Sequence, residues 1–454
     1  MRESLTRNFF LPLHERLRGR KTLKFYNELR DYDLRSSDYL LSLRLQKLRR
    51  LVSHCVESVP YYHDALKKIG ISSVDELNFE NFKELPPLDK DDIRKDITKF
   101  IAKNHHSRLI RYSTGGSTGE PLVFFTDKYK ESQHKAHDWR CRSWFGVFPG
   151  DKQVDFWGSP IELNKLTGFV KWKDRTFLNH VVLPAFDLQE QLLHRHLQFL
   201  RRFQPKFLYG YPSVLALVAR LLLENGKNLL DNRLKLVSCT SEMLYDHQRE
   251  IIIEAFGCPV ANEYGSRDGG LIAHDCPEGR LHILAEHVHL EVDHPDKTGI
   301  GDFLVTNLDG FGMPLLRYRI GDRGSIDSKL CSCGLPLPLL DELSGRTNDV
   351  LIGKDGVPVH SLAPVYALRE YRSKLKQFKV IQRRDLSLEV QLVTIAKLEI
   401  RELSDIREKM VSIFGFDIPM KFVFLDYIPA EQSGKFRSVV CEVNDNQFVE
   451  QQRH

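Results

Sequence analysis

Long apolar runs are missing from this chain of 454 residues. A membrane-spanning helix needs about 18 continuous apolar residues. The best candidate, Val214 to Leu223, is short and broken by Arg220. The first residues show neither an apolar core segment nor a small-residue cleavage site, so no secretory signal is visible. Cysteine is scarce, at 8 residues. In a chain this long, without a signal, that excludes a disulfide framework and implies a reducing, cytoplasmic setting. Internal repeats and low-complexity tracts are also lacking, which removes solenoid and linker-like readings. No aromatic-interleaved basic sheet or recognition helix is present, so nucleic acid is not an expected partner.

What is present is the composition of a globular protein, 42% hydrophobic and 28% charged, enough to bury a large core. The length predicts two or three domains. The net charge of +5 is unevenly placed. Residues 1–50 hold 13 Lys and Arg against 6 Asp and Glu, so this segment carries +7 and the remainder is slightly acidic. Two readings follow for residues 1–70. One is a solvated helical extension packed on the main body. The other is a basic amphipathic arm that docks on an anionic membrane face or on a partner. Nothing specifies an oligomeric state.

Leu40, Leu41, Leu43, Leu45, Leu48, Leu51 and Val52 recur near the helical period, and Pro60 ends that helix. In the middle, Lys206–Tyr211, Leu234–Ser238 and Pro259–Tyr264 read as strands. They alternate with helices, one capped by Ser213 and running to Glu224, another from Glu242 to Phe256. That alternation predicts a parallel sheet with crossover helices. Beyond about residue 280, His287–Val292 and Asp302–Asn307 alternate apolar and polar residues, the pattern of antiparallel strands. From residue 346 onward, helical and strand patterns interleave as a separate α+β unit of ordinary domain size. The expected division is therefore 1–345 and 346–454.

Five segments carry chemistry. Tyr112-Ser-Thr-Gly-Gly-Ser-Thr-Gly-Glu-Pro121 lies between two strands. Its backbone N–H groups and hydroxyls can curl around phosphate oxygens. It is not a Walker A loop, because Glu120 follows Gly119. Asp322, before Arg323-Gly324, suits a pair of vicinal hydroxyls but also a capped turn. Tyr264 reads equally as a core tyrosine at a strand end, and Lys435 in Gln432-Ser-Gly-Lys-Phe436 as an exposed loop lysine. Cys276, His282, Cys331 and Cys333 form Cys-x₅-His followed by Cys-x-Cys. These are ligand types zinc prefers, at a spacing tighter than usual. The alternative is a set of buried free thiols.

In this order the segments resemble the adenylate-forming superfamily, in particular the phenylacetate–CoA ligase type and its capsule-biosynthesis (CapK-type) branch. The resemblance spans roughly residues 40–445. It implies an α/β fold: a large N-terminal adenylate-forming domain with mixed and parallel sheets, and a small mobile α+β lid. It implies ATP, Mg²⁺ and a carboxylic acid as reactants, with coenzyme A as acyl acceptor and a structural Zn²⁺. A sugar amine or hydroxyl in polysaccharide assembly is the alternative acceptor. A non-catalytic nucleotide-binding relative is the alternative to an enzyme.

Residue by residue, the resemblance makes Ser113, Thr114, Gly115, Gly116, Ser117, Thr118 and Gly119 the phosphate loop. Ser241 and Glu242 line the adenine. Tyr264, beside Gly265, stacks on it. Asp268 takes the acidic position that holds Mg²⁺. Asp322 grips the ribose, Arg346 lies near ribose and phosphate, and Lys435 bridges the attacking carboxylate and the α-phosphate. Arg267 and Asp268 stand where the pattern has Thr and Glu, and Glu120 replaces a common Lys. The hinge falls at Asn348-Asp349. The acid would lie among segments Trp139–Trp157, Tyr209–Pro212 and Tyr264–Gly270. Trp144, Phe145, Trp157, Tyr209 and Tyr211 there suggest an apolar or aromatic acid, or else ordinary core.

Overall fold

The structure, a computed structural model, describes residues 2–68, 74–105, 109–113, 122–157, 167–185, 190–225, 233–327, 329–346, 351–354, 358–359, 362–371, 373–429 and 436–443. The chain divides into two compact units. The first comprises Met1–Leu244 and Ile251–Leu343, the second Tyr245–Glu250 and Ser344–His454.

The first unit is built on one sheet of eleven strands. Its parallel half contains β3 (Gln153–Trp157), β4 (His180–Pro184), β5 (Phe207–Gly210), β6 (Leu236–Thr240) and β7 (Val260–Ser266). Crossovers run through the helices Gly168–Phe177, Glu190–Phe203, Pro212–Glu224 and Asp246–Phe256. The chain then turns back. β8 (Gly270–Asp275) pairs antiparallel with β7, and β9 (Leu281–Ile283), β10 (Val288–Asp293), β11 (Gly301–Asn307), β12 (Tyr318–Asp327) and β13 (Leu339–Arg346) complete the order β10-β11-β12-β13-β9-β8-β7-β6-β5-β3-β4. The change of direction comes at residues 266–270, earlier than the alternation pattern indicates. The antiparallel half continues the parallel sheet rather than forming a separate one. A hairpin of β1 (Ile110–Ser113) and β2 (Val123–Thr126) stands apart.

Strand β3 shows why these residues pair. Val154 and Phe156 are buried on one face, while Gln153, Asp155 and Trp157 alternate onto the other. The first face packs on Leu193, Leu197 and Leu200 of one crossover helix and Val214, Leu215 and Val218 of the next. In front of the sheet, the helix Ser37–Ser58 is capped by Ser36, whose Oγ accepts from Tyr39 N at 3.2 Å. Its Leu48, Leu51, Val52 and Cys55 are fully buried, each large aliphatic stabilising the core by about 1.5–3 kcal/mol. Pro60 stops it and opens the next helix, Pro60–Lys68. Sequence-read boundaries shift by a few residues elsewhere. The helix expected from Glu242 begins at Asp246, and the strand expected over Leu234–Ser238 is Leu236–Thr240.

The second unit has a four-stranded sheet built from β14 (Leu375–Gln382), β15 (Leu388–Thr394), β16 (Met420–Phe424) and β17 (Val439–Cys441), in the order β16-β15-β14-β17. The helix Ile400–Phe414 covers it through Ile406, Met410 and Phe414. A capping box of Glu399 and Glu402 starts that helix, and Gly415, at φ 77°, ends it.

Candidate active site

Parallel strands place their carboxyl ends along one rim of the sheet, and ligands settle where the strand order reverses. Here β4 and β5 flank β3 on opposite sides, so the reversal lies at the ends of β3 and β5. Trp157, which closes β3, stacks on Tyr209 at 5.5 Å and on Tyr211 at 4.7 Å. Beneath them is a polar layer. Tyr209 Oη donates to Glu263 Oε1 at 2.6 Å, and His180 lies 2.7 Å from Asp155. Burial, with help from the nearby Asp138 carboxylate, pushes Glu263 up to about 7. Sequence reasoning missed Glu263 as a site residue. The only signal was its place directly before Tyr264.

Not every expected pocket aromatic reaches this rim. Trp139 packs edge-on against Tyr26 at 6.2 Å, and Trp144 donates from Nε1 to Asp33 at 3.1 Å. Both hold the N-terminal helices instead. Ser213 does not cap its helix. Tyr211 occupies the cap position, and Glu242 Oε2 accepts from Ser213 N at 3.2 Å. A carboxylate at a helix N-terminus is favoured by the helix dipole, so Glu242 has a structural task. Ser241 sits at φ 69°, in the left-handed region, where the chain turns off β6.

Two motifs distant in sequence interlock at the end of β7. Tyr264 Oη donates to Asp322 Oδ2 at 2.9 Å, and Tyr318 Oη donates to Asp268 Oδ2 at 2.7 Å. Tyr318 and Asp322 both lie on β12. Burial and the Asp268 carboxylate raise the Tyr318 hydroxyl well above its ordinary value, so it stays a proton donor. The Asp268 turn is held from several sides. Gly269 N donates to Ser266 Oγ at 2.8 Å, Lys130 Nζ donates to Asp268 O at 3.0 Å, and Asn307 Nδ2 donates to Gly269 O at 3.1 Å. Gly265 is required by close approach, since a Cβ there would meet Gly270 O at 2.5 Å. The other cations of the β12 motif are structural. Arg317 binds Glu291 at 3.0 Å, and Arg319 binds Asp293 and Asp302 at 2.7 and 2.8 Å.

Ser113 closes β1 and pairs with Val123. Arg267 Nη1 donates to Ser113 O at 3.5 Å, which brings the start of the phosphate-loop segment beside the Asp268 turn. Thr114, Gly115, Gly116, Ser117, Thr118, Gly119 and Lys435 lie outside the described residues, as does the side chain of Arg346.

Cys276, His282, Cys331 and Cys333 come together, with their ligand atoms all within 4.8 Å of one another. Cys276 and Cys331 sulfurs are 3.8 Å apart, and Cys333 Sγ is 3.3 Å from His282 Nε2. A tetrahedral site with metal–sulfur bonds of about 2.3 Å has edges of about 3.8 Å. His282 Nδ1 lies 3.1 Å from Leu337 O. Donation there fixes the tautomer that leaves Nε2 with its lone pair facing the sulfurs. Each cysteine segment turns on a glycine with positive φ, Gly279 at 71° and Gly334 at 80°. The donor set fits a zinc ion. Cys55, Cys141, Cys239 and Cys258 are buried core thiols, whereas Cys441 is half-buried beside Gln382.

Residues 351–442 match the family described as CapK C-terminal domain. The chain is 28% identical over 429 residues to Protein CapK of Staphylococcus aureus, covering 94% of each. It is 24% identical over 362 residues to a phenylacetate-coenzyme A ligase of Thermus thermophilus, covering 77% of this chain and 80% of that one. A solved 2-hydroxyisobutyryl-CoA ligase, in the postadenylation state in complex with R3-HIB-AMP, superposes with a TM-score of 0.73 at 17% identity, covering 93% of both chains.

Proposed function

We propose that this chain, a relative of CapK and of phenylacetate–CoA ligase with the fold of the adenylate-forming CoA ligases, is an AMP-forming acid ligase. It activates a carboxylic acid with ATP, releases pyrophosphate, and passes the acyl group from the acyl-adenylate to coenzyme A. The observation that carries this reading is the interlock of Tyr264 with Asp322 and of Asp268 with Tyr318. A buried tyrosine hydroxyl needs an acceptor; here that acceptor is the carboxylate read as the ribose ligand, which puts it beside the ring read as the adenine platform.

In this reading Tyr264, with Ser241 and Glu242 beside it, packs on the adenine. Asp322 accepts from the two ribose hydroxyls, and Arg346 lies near ribose and phosphate. Ser113 to Gly119 offer N–H and hydroxyl donors to the phosphates, and Arg267, at Ser113, adds a cation where Glu120 withholds one. Asp268 offers the hard oxygen that Mg²⁺ prefers. Bound there, Mg²⁺ would neutralise phosphate charge. The protein's own contribution is orientation for in-line attack and charge stabilisation, with Lys435 placed between carboxylate and α-phosphate. The Trp157–Tyr209–Tyr211 ladder receives the acid, and Glu263 beneath it favours an acid carrying a hydrogen-bonding substituent over a bare aryl acid. A sugar amine or hydroxyl in polysaccharide assembly is the second acceptor, favoured by the CapK relationship.

Cys276, His282, Cys331 and Cys333 hold a structural Zn²⁺ that ties the β8–β9 turn to the loop before β13. Protein purified without added zinc should carry one equivalent, and less than about 0.3 equivalents per chain would remove the site.

The deciding experiment is ATP–pyrophosphate exchange across a panel of aryl, fatty, amino and hydroxy acids. Acid-dependent exchange is expected, reduced about 10²–10³-fold in Lys435→Ala with ATP binding kept. Absence of exchange with every acid, alongside intact ATP binding, would leave a non-catalytic nucleotide-binding protein.

A further inference from the structure

The first fifty residues carry +7, yet the structure spends several of those cations inward. Arg7 pairs with Asp151 at 2.8 Å, Arg20 with Glu131 at 3.0 Å, and Lys47 with Asp309 at 2.8 Å. Beside the exposed Ser4, Asn8, Arg16 and Arg18, the beginning of the chain shows an apolar stripe to solvent. Leu5, Phe9, Leu13 and Leu17 recur every four residues along the helical segment Arg2–Arg18, and Phe9 and Leu17 are 56% and 78% exposed.

This stripe continues onto another element. Phe9 touches Phe10 at 5.3 Å, and Phe10 meets Phe177 at 4.8 Å, at the end of the Gly168–Phe177 helix. Phe177 meets Trp172 at 5.5 Å, and Trp172 meets Phe169 at 5.9 Å. Phe169 and Trp172 are 68% and 54% exposed. Two segments 150 residues apart thus share one exposed aromatic and aliphatic surface, of a kind soluble monomers seldom leave uncovered.

Beside it is a cationic cleft of about 370 Å³. Lys152, Arg175, Arg195 and Arg202 line it with Phe199 and Phe203, and among the described residues no carboxylate does. Arg175 sits 5.5 Å from the Phe199 ring and Lys152 5.3 Å from the Phe203 ring. Arg175 lies on the same helix as Trp172, one turn further on, so the cleft opens from the apolar surface.

We propose that this face docks on a bilayer bearing anionic lipid. The apolar stripe and the Phe169–Trp172 pair enter the headgroup region, and the cleft takes a lipid phosphate. Charge complementarity selects this occupant over a second copy of the chain, whose matching face would bring two cationic clefts together. Interfacial binding of this kind combines apolar burial with attraction of cations to anionic headgroups. Aromatic side chains suit the interface because one end is apolar and the other tolerates water. The proposal is independent of the acid-ligase reading.

Vesicle co-sedimentation of the full chain tests it, with phosphatidylcholine alone against phosphatidylcholine plus phosphatidylglycerol. Binding is expected only to the anionic vesicles, and about 0.5 M salt should strip most of it. Phe169→Ser with Trp172→Ser should weaken it about tenfold or more. Arg195→Glu with Arg202→Glu should weaken it at least about fivefold per residue. All four positions lie outside the proposed catalytic machinery, and far-ultraviolet circular dichroism with a cooperative thermal transition reports that each variant is folded. Equal binding to neutral vesicles, or binding that survives both double variants, overturns the proposal. So does a chain that ignores vesicles but sediments as a dimer that Phe169→Ser with Trp172→Ser splits, since the face is then a subunit interface.

Discussion

Two sets of carboxylates lie in the first unit, one fully buried and one reaching from the buried Asp268 to the half-buried Asp322, and they are held by different partners. Glu286 and Asp309 face full cations. Arg140 reaches both Glu286 and Asp33, while Lys47 closes on Asp309 at 2.8 Å, with His287, which burial lowers to about 4, at 2.7 Å. Burial opposes ionisation in both, yet Arg140 and His137 hold Glu286, and Lys47 and His287 hold Asp309, well below the usual carboxylate range. Asp268, which lies beside the buried Lys130, and Asp322 each accept from a tyrosine hydroxyl. A cation pair satisfies a carboxylate by cancelling its charge. A phenol orients the carboxylate by a single hydrogen bond without adding a charge of its own, which suits a ribose or a metal ion. The first set fastens the N-terminal helices to the sheet, and the second is suited to a ligand.

The largest effect that would sharpen this contrast comes from Arg140→Met. It leaves Glu286 and Asp33 facing an apolar side chain and should cost about 3–5 kcal/mol in denaturant unfolding. Exchange activity per folded molecule should be unchanged. If stability were unaffected, the cation-held set would not be structural.

Asp322→Asn should do the reverse. Its expected loss is on the order of 10² in kcat/KM for ATP, with stability changed by under about 1 kcal/mol. A large drop in stability without that kinetic loss would place Asp322 in the structural set.

Glu263→Gln probes a third case, a carboxyl raised rather than lowered. A folded value of about 7 against the ordinary 4.5 means that folding favours the protonated form. The associated stability is full below about pH 4.5 and disappears as pH rises through about 7. Glutamine keeps an acceptor for Tyr209 without the charge. It should therefore stabilise the protein by on the order of 2 kcal/mol at pH 8 and by little near pH 4. A pH-independent difference would show that Glu263 ionises freely in the fold.

Some of this was legible in the residue order. The β–α alternation through the middle gave the parallel sheet, because period-two and period-3.6 patterns differ even in a single sequence. Cys276, His282, Cys331 and Cys333 stood out by ligand type. The helix Lys128–Ser143 was not legible. Lys130, Gln133, His137, Asp138, Arg140 and Arg142 offer no apolar stripe to read, yet all are buried in the structure. Their charges are matched by partners far along the chain, such as Asp33 and Glu286, and periodicity carries no information about such partners. The same blindness left Trp139 and Trp144 open between a substrate pocket and ordinary core, and the structure places both in the N-terminal packing.

The sequence by itself determined which backbone elements form and which residue types are on hand for phosphate, ribose and metal, because propensity, capping and ligand preference are local. Tertiary structure alone decided which carboxylate meets a cation and which a phenol, and which side of the N-terminal helix faces outward. Those outcomes depend on contacts between residues from 50 to more than 200 positions apart, and burial, which sets the strength of every charge, exists only once they have formed.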